Sequence, residues 1–586
     1  MPKGPVVERG EGGAPVPART ILTTPPAHAS TSGAAQAHPA VAPPPPSPAD
    51  RGGSLDRVVF GVAAVVALAF VAWGFASPQG LGSVSGTALE WVETNLGWLF
   101  VLLASAFVVY VIWLAAGKYG RIPLGRDDEA PEFRTVSWVA MMFSAGMGIG
   151  LMFFGVSEPL SHYVSPPPGT VAAETPEALQ TALATTLFHW SLHPWAIYAV
   201  VGLAIAYGTF RRGRRQLFSA AFAPLFGRQR TEGPAGKVID VLAIFATLFG
   251  SAASLGLGAL QIGSGMEILG WAGDLGNGLF VLIIAVLTAA FVASAVSGIA
   301  KGIQWLANTN MVLAVVLAVF VFVVGPTIFI LNLLPAAIGN YFADLGEMAA
   351  RTEASGGDAT AEWLRGWTVF YWAWWISWTP FVGLFIARIS RGRTIRQFVT
   401  GVLLVPSVVS LVWFAVFGGA GIAAQRSGAD VAGQATAEGQ LFGVLETFPL
   451  ATVMTVLVML LVGGDEALTG LQNLTIIAAL PFALVMAGLA VALARDVRSD
   501  PVVLRRTAAA EAVEQAVVDG ITRHGEDFVL VVEPAPDADR DGIPDTAIGT
   551  TPRPAAEHRG SGGDRTVRDV GSPIPDAGAR VPDGGR

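Results

Sequence analysis

Cysteine is absent from all 586 residues, which excludes disulfides, thiolate metal sites and cysteine nucleophiles. Charge is scarce too. Only 14% of residues are Asp, Glu, Lys or Arg against 52% hydrophobic, a balance that excludes a large soluble domain and fits a polytopic membrane protein. The formal charge of -8 lies mostly in tails and loops. Three loops, at 77–97, 157–178 and 261–278, hold no Lys or Arg at all. No nucleophile–base or metal constellation stands out, so an enzyme is not expected; nor is a nucleic-acid partner or a cofactor. The helices that carry the motifs described below have no charge near mid-membrane, since Glu158 and Asp240 fall near span ends. A proton relay would need buried carboxylates or histidines, and a bare cation would want a counter-carboxylate. On that ground a zwitterion is the expected ligand, with a metal ion bound by carbonyls.

Apolar stretches place spans at 58–76, 99–116, 138–156, 179–207, 238–260, 279–297, 311–331, 367–387, 398–418 and 471–494, with a short one at 450–462. Lys118, Arg121, Arg126 and Arg134 follow the second span. Arg211, Arg212, Arg214 and Arg215 follow the fourth; Arg388, Arg391, Arg393 and Arg396 follow the eighth. By the positive-inside rule the N-terminus is cytoplasmic in a multi-pass cell-membrane protein. No cleavable signal peptide is expected. The five spans from 138 to 331 form a first half, and five is odd, so a second copy must enter from the opposite side: an inverted repeat. The expected organisation is a disordered tail (1–54), two helices (55–116), a first five-helix repeat (117–333) and an extracellular connector with a surface helix (334–366). A truncated second repeat (367–494) and a cytoplasmic, largely disordered tail (495–586) follow.

Within 366–392 an aromatic stripe is set at helical spacing: Tyr371, Trp374, Trp375 and Trp378 stand at i, i+3, i+4 and i+7. Trp363 and Trp367, where the segment begins, suit a membrane interface, but the stripe runs on toward mid-membrane. A quaternary ammonium cannot donate hydrogen bonds, and aromatic faces are its natural cage. Trp190, Trp195 and Tyr198 of FHWSLHPWAIY can supply the facing wall, on a helix bent by Pro194. His189 and His193 have metal-ligand spacing with no third ligand apparent. In SAGMGIGLMFFG (144–155), Gly146, Gly148 and Gly150 weaken the helix and free carbonyls for a hard cation. Pro380 interrupts the aromatic segment correspondingly, and paired broken helices point to a transport site. Thr247, Ser251 and Ser254 line one side of ATLFGSAASLGLGALQ, where packing with back-bonding competes with any ligand role.

These blocks together resemble the betaine/choline/carnitine transporter family over about residues 55 to 500. MMFSAGMGIGLMFFGVSEPLSHY, FHWSLHPWAIYAVVGLAIAYGTFR, VIDVLAIFATLFGSAASLGLGALQIGSG and FYWAWWISWTPFVGLFIARISRG carry the likeness. The resemblance implies an all-α fold of LeuT-like type, two helices plus two inverted five-helix repeats, in a homotrimer. It implies alternating access and, for betaine members, sodium symport. Carried over by motif, the substrate box is Trp190, Trp195, Tyr198, Trp374, Trp375 and Trp378, beside Gly148 and Gly150, with Ser254 near the substrate carboxylate. One sodium would lie near Thr247, Ser251 and Phe381; the other would use carbonyls of Ser144 and Met147. Choline members resembling this chain carry Asp where Gly150 stands, so Gly suits betaine, which brings its own carboxylate. Exchangers that need no sodium place a basic residue in the fifth family helix, and 238–260 has none.

The chain departs from the family pattern after Val462, where GGDEALTGLQNLTIIAALPF follows at once and roughly a helix and a half is missing, including hydroxyl ligands of the second sodium. The segment 450–462 is expected to be re-entrant or buried. The leading expectation is sodium-coupled uptake of glycine betaine or a similar solute; the alternative is a substrate-binding sensor or degenerate transporter that does not cycle. DADRDGIPD (537–545) has acids at calcium-loop positions but Ile548 at the twelfth, and reads as a solvated linker. The tail is mixed in charge, against a strongly basic tail in the family's osmosensing members.

Overall fold

The computed structural model describes residues 18–21, 55–146, 149–271, 277–296, 304–434, 436–461 and 468–531. Helices dominate. The first two are α1 (Arg57–Ala76) and α2 (Pro78–Ala116). Asp56 caps α1 by accepting from Val58 and Val59 N–H, as orphaned first-turn donors require. Next come α3 (Thr135–Gly146), α4 (Ile149–Val164), α5 (Pro176–Trp190) and α6 (Leu192–Ala206), the last prolonged by a π turn, Tyr207–Arg211. Three one-turn helices, α7 (Phe218–Ala221), α8 (Ala223–Phe226) and α9 (Arg228–Thr231), lead into the long α10 (Pro234–Ile268). Then follow α11 (Asn277–Val296), α12 (Gln304–Val324), α13 (Thr327–Ala350) and α14 (Glu353–Leu364). A second π turn, Arg365–Val369, opens α15 (Phe370–Ile389). The rest are α16 (Ile395–Arg426), α17 (Ala437–Glu446), α18 (Ala451–Leu461), α19 (Leu468–Arg498) and α20 (Pro501–His524).

Seven of the described helices are long and apolar enough to cross a membrane. The all-α polytopic class expected from composition is the class observed. Helix α1 keeps only Ala63 buried and exposes Val58, Phe60, Val62, Val65 and Leu68, as a lipid-facing helix does. Helix α6 is buried on every side. It packs most extensively on α15, and α4 on α16. These pairs form the centre of the bundle.

The expectation of a helix broken at Pro380 is corrected: α15 is one helix from Phe370 to Ile389 with Pro380 inside it. A proline there forfeits one backbone bond, to the carbonyl of Ile376. Neighbouring hydroxyls bond the turn instead, Ser377 donating to Trp374 O (2.6 Å) and Thr379 to Trp375 O (2.8 Å).

The Arg-bearing loops meet on one face. Gly392 N–H donates to Leu124 O (2.8 Å) and Ile395 N–H to Ile122 O (2.9 Å), joining the loop after α2 to the α15–α16 turn. Arg388 pairs with Glu132 (2.7 Å) and Arg391 with Glu129 (2.6 Å). The buried Arg211 side chain holds Asp500 through Nε (2.9 Å) and Nη2 (3.0 Å), Asp127 at 2.5 Å and the Gly125 carbonyl at 3.0 Å. Arg214 pairs with Asp496. A charge taken out of water must be paired and hydrogen-bonded in this way. The C-terminal end of α19 therefore lies with the basic loops.

Helix α18 lies at the opposite face. Phe448, just before it, meets Phe320 of α12 with ring centroids 6.4 Å apart. Met459, near its other end, packs on Gly265, close to the end of α10. Both ends of α18 thus touch late turns of α10 and α12. Its eleven residues would rise about 17 Å, short of a hydrocarbon core about 30 Å thick.

Residues 1–33 and 509–586 group as a separate unit. Within it β1 (Ala18–Ile21) pairs parallel with β2 (Phe528–Val531), Ala18 opposite Phe528. The Pro- and Gly-rich leader, expected to lack structure, therefore contributes one strand, at its β-branched Thr20 and Ile21. The acidic stretch 537–545 lies outside the described residues.

Candidate substrate site

The site begins with a helix that stops and restarts. Helix α5 ends at Trp190, Ser191 leaves helical geometry at φ -119°, ψ -110°, and α6 starts at Leu192. Pro194 has no N–H to give to Trp190, so the carbonyl of Trp190 is orphaned. Ser410 of α16 donates its hydroxyl to that carbonyl at 2.9 Å. The neighbouring carbonyl of His189 accepts the Trp375 indole N–H at 3.2 Å. The break thus fixes two neighbours, one from α15 and one from α16.

Trp375 is the hub of an aromatic cluster. Its ring lies 5.2 Å from Trp190, 5.4 Å from Tyr198, 6.1 Å from Trp374 and 6.4 Å from Trp195, centroid to centroid. All four contacts are edge-to-face or tilted, the arrangements that aromatic quadrupoles favour. Trp190, Trp195, Tyr198 and Trp374 are buried. Five of the six aromatic residues expected for the box are brought together. Trp378, one turn on, packs against Gly250 of α10, and its ring neighbour is Phe381 at 6.5 Å. No ring contact among the described residues joins it to the other five. Phe154 of α4 is an unexpected member, 6.0 Å from both Trp190 and Trp374 and 5.4 Å from Tyr371.

Gly150 lies where the rings converge. A Cβ there would stand 2.7 Å from Trp190 Cη2 and 2.8 Å from Trp374 Cη2, well inside contact distance. The absence of a side chain is what lets α4 approach the two indoles.

Glu158, expected only as a charge near a span end, reaches the box. Glu158 is wholly buried, and its carboxylate touches the cluster. Oε2 accepts from Trp190 Nε1 (2.6 Å) and Tyr371 Oη (2.5 Å), and Oε1 stands 2.7 Å from His189 Nδ1. His189 Nε2 is 3.0 Å from Thr368 Oγ1. His162 Nε2 lies 3.5 Å from Oε1, under Trp367 with ring centroids 4.5 Å apart. Helix α4 runs on to Val164, eight residues past the expected span end, and carries Glu158 inward with it.

Trp363 and Trp367, expected at an interface, cover this network. His193 leaves it, stacking on Trp372 at 5.4 Å. The His189–His193 pair therefore does not form a metal site. Glu158, His162 and His189 do bring three ligand atoms within 4.8 Å of one another. Yet two ligands of one tetrahedral zinc stand about 3.3 Å apart, given bonds of about 2.0–2.1 Å. The 2.7 Å from Oε1 to Nδ1 is a hydrogen bond, and Oε2 is already committed to two donors.

Of the remaining expected residues, Thr247 donates its hydroxyl to Ala243 O at 2.8 Å, the back-bonding pattern. Phe381 is more than half exposed. The side chains of Ser144, Ser251 and Ser254, and both Met147 and Gly148, lie outside the described residues. Two adjoining cavities, of about 270 and 320 Å³, sit beyond the cluster and share Gly169, Thr170, Glu347 and Arg351 in their walls.

Residues 58–464 match the family described as BCCT, betaine/carnitine/choline family transporter. The betaine/ectoine transporter LcoP of Corynebacterium glutamicum is 45% identical over 530 residues, covering 82% of this chain and 84% of its own. The glycine betaine transporter OpuD of Bacillus subtilis is 46% identical over 407 residues, 69% of this chain and 78% of its own. A probable glycine betaine transporter of Desulfitobacterium hafniense is 39% identical over 498 residues, 76% of this chain and 98% of its own. In the LcoP comparison, 82% of 586 residues is about 480, so about 50 of the 530 aligned positions have no residue here.

Proposed function

We propose that this chain, which belongs to the betaine/carnitine/choline transporter family, takes up glycine betaine or a similar quaternary-ammonium compatible solute across the cell membrane. Uptake is coupled to sodium and proceeds by alternating access. The observation that carries the reading is the aromatic cluster around Trp375, where five indole and phenol rings from α5, α6 and α15 converge on buried, water-poor ground. Such faces attract a methylated ammonium by their quadrupoles, with a value of about 2 kcal/mol or more when the site is desolvated. Gly150 leaves room for the rings, and Gly148 and Trp378 are assigned to the solute's binding box with them. Ser254 meets the solute's carboxylate. The betaine relatives support the substrate class; LcoP, whose name adds ectoine, extends it to other compact zwitterions.

One sodium is assigned to Thr247, Ser251 and Phe381, the other to carbonyls of Ser144 and Met147. Support comes from α10, which carries no cation between Val238 and Leu260 that could replace the ion. The positive-inside rule puts the Arg-rich face, the N-terminus and the start of the C-terminal tail in the cytoplasm. The protein assembles as a homotrimer in the bilayer. The central test is betaine binding, read by tryptophan fluorescence, alongside sodium-driven uptake of labelled betaine in the same proteoliposomes.

A second reading is favoured by one observation, the roughly 50 aligned positions missing here. If they include the second-sodium ligands, the chain binds solute and does not cycle. Binding without uptake under any imposed gradient establishes that reading.

A further inference from the structure

We infer that Glu158 is the counter-charge of the aromatic cluster: a specificity-determining residue whose carboxylate, bonded to the Trp190 N–H, sets the preference for a positively charged head group over a neutral one of the same shape. The inference rests on the reading above that the cluster holds a methylated ammonium, and it adds a residue that neither composition nor motif singled out.

The donor set argues for an anion. An indole N–H can only donate, and Trp190 aims it at Oε2 from 2.6 Å. The Tyr371 hydroxyl meets the same oxygen at 2.5 Å, and His189 Nδ1 meets the other at 2.7 Å. Two donors converging on Oε2, with an imidazole nitrogen at Oε1, suit a carboxylate held away from water. The remaining ionisable groups nearby are His162, 3.5 Å from Oε1, and Arg351, which stacks at 5.2 Å over Trp363, the ring that meets both imidazoles.

The position argues for a role in recognition. Trp190 is the bridge: its N–H end is bonded to Glu158, its ring faces Trp374 and Trp375, and its far edge abuts Gly150. A cation against these rings meets their π-faces and, one indole behind, the buried carboxylate bonded to Trp190. The indole N–H pulled toward an anion also enriches the ring's own faces in electron density. A substrate carboxylate must point away from Glu158, so the same charge orients a zwitterion head-first into the rings.

Glu158→Gln removes the charge while its amide oxygen still accepts from Trp190 and Tyr371, so packing is kept. The experiment compares glycine betaine with 3,3-dimethylbutanoate, in which carbon replaces the ammonium nitrogen. Dissociation constants are read by tryptophan fluorescence on the purified full-length protein. Wild type is expected to prefer betaine by about tenfold or more. In E158Q betaine affinity should fall about tenfold, the isostere should hold or bind better, and the preference should collapse. Equal losses for both ligands would show a merely structural role and overturn the inference; so would an unchanged preference. Should E158Q not fold, the wild-type ratio decides, and near-equal affinity for the two ligands overturns it. Absence of any betaine binding in wild type overturns the function reading with it, whereas binding with an E158Q-insensitive ratio removes this assignment alone.

Discussion

Gly150 and Trp375 both meet Trp190 and Trp374, and each gives a sharp test. Gly150→Ala inserts a methyl 2.7–2.8 Å from two indole edges. Overpacking of that kind costs about 1–3 kcal/mol, so roughly tenfold weaker betaine binding is expected, read as a fluorescence dissociation constant. Unchanged affinity would mean that the two indoles do not wall the site. Trp375→Ala removes the hub ring and the N–H that satisfies His189 O. Uptake should vanish while membrane insertion and the elution profile in detergent stay normal. Trp374 and Trp375 were legible because, with Tyr371, they stand at i, i+3 and i+4 and so declare a shared helix face whatever the tertiary structure. Glu158 was not legible. Ser157-Glu158-Pro159 lowers local hydropathy enough to end the apparent span, and the carboxylate's partners lie 31, 32 and 213 residues away.

At the level of elements, the broken α5–α6 pair is held by what its orphaned carbonyls find. Ser410→Ala leaves the buried Trp190 carbonyl without its donor, a loss of about 1–3 kcal/mol. The variant should unfold at a lower temperature in detergent than wild type, and an unchanged midpoint would show that another group takes over. From sequence Pro194 was expected to bend its helix and Pro380 to interrupt its own, yet Pro194 accompanies a break and Pro380 does not. Proline removes one donor in either case; whether the helix parts depends on which groups from other helices compete for the freed carbonyl. Helix ends went astray for a related reason. Hydropathy gave α2 only its second half, because the polar first half, Pro78 to Gly97, is helical through packing and not through apolar content.

Across the whole molecule, the basic face is a seam of ion pairs that ties the loop after α2, the end of α6 and the end of α19. Burial would raise the Asp127 carboxyl, but Arg505 and Arg211 outweigh it and hold it below the usual carboxylate range. Its folded value lies below the unfolded value of about 3.9. The stability it adds is thus present above that value and lost as pH falls through the lower one. Thermal midpoints should drop on acidification below about pH 4, and less so in Asp127→Asn; equal drops in both proteins would remove Asp127 from the account. The bundle, its all-α class and its basic face could be read from periodicity and charge. Helix α18 lying along the opposite face follows from contacts with Phe320 and Gly265 that no local pattern encodes.

The most direct test is uptake of labelled glycine betaine by proteoliposomes of wild type and Trp375→Ala under an inward sodium gradient. Accumulation in wild type that collapses without the gradient and is absent in the variant is the predicted result. Equal accumulation by both proteins would contradict the claim that the aromatic cluster holds the transported solute.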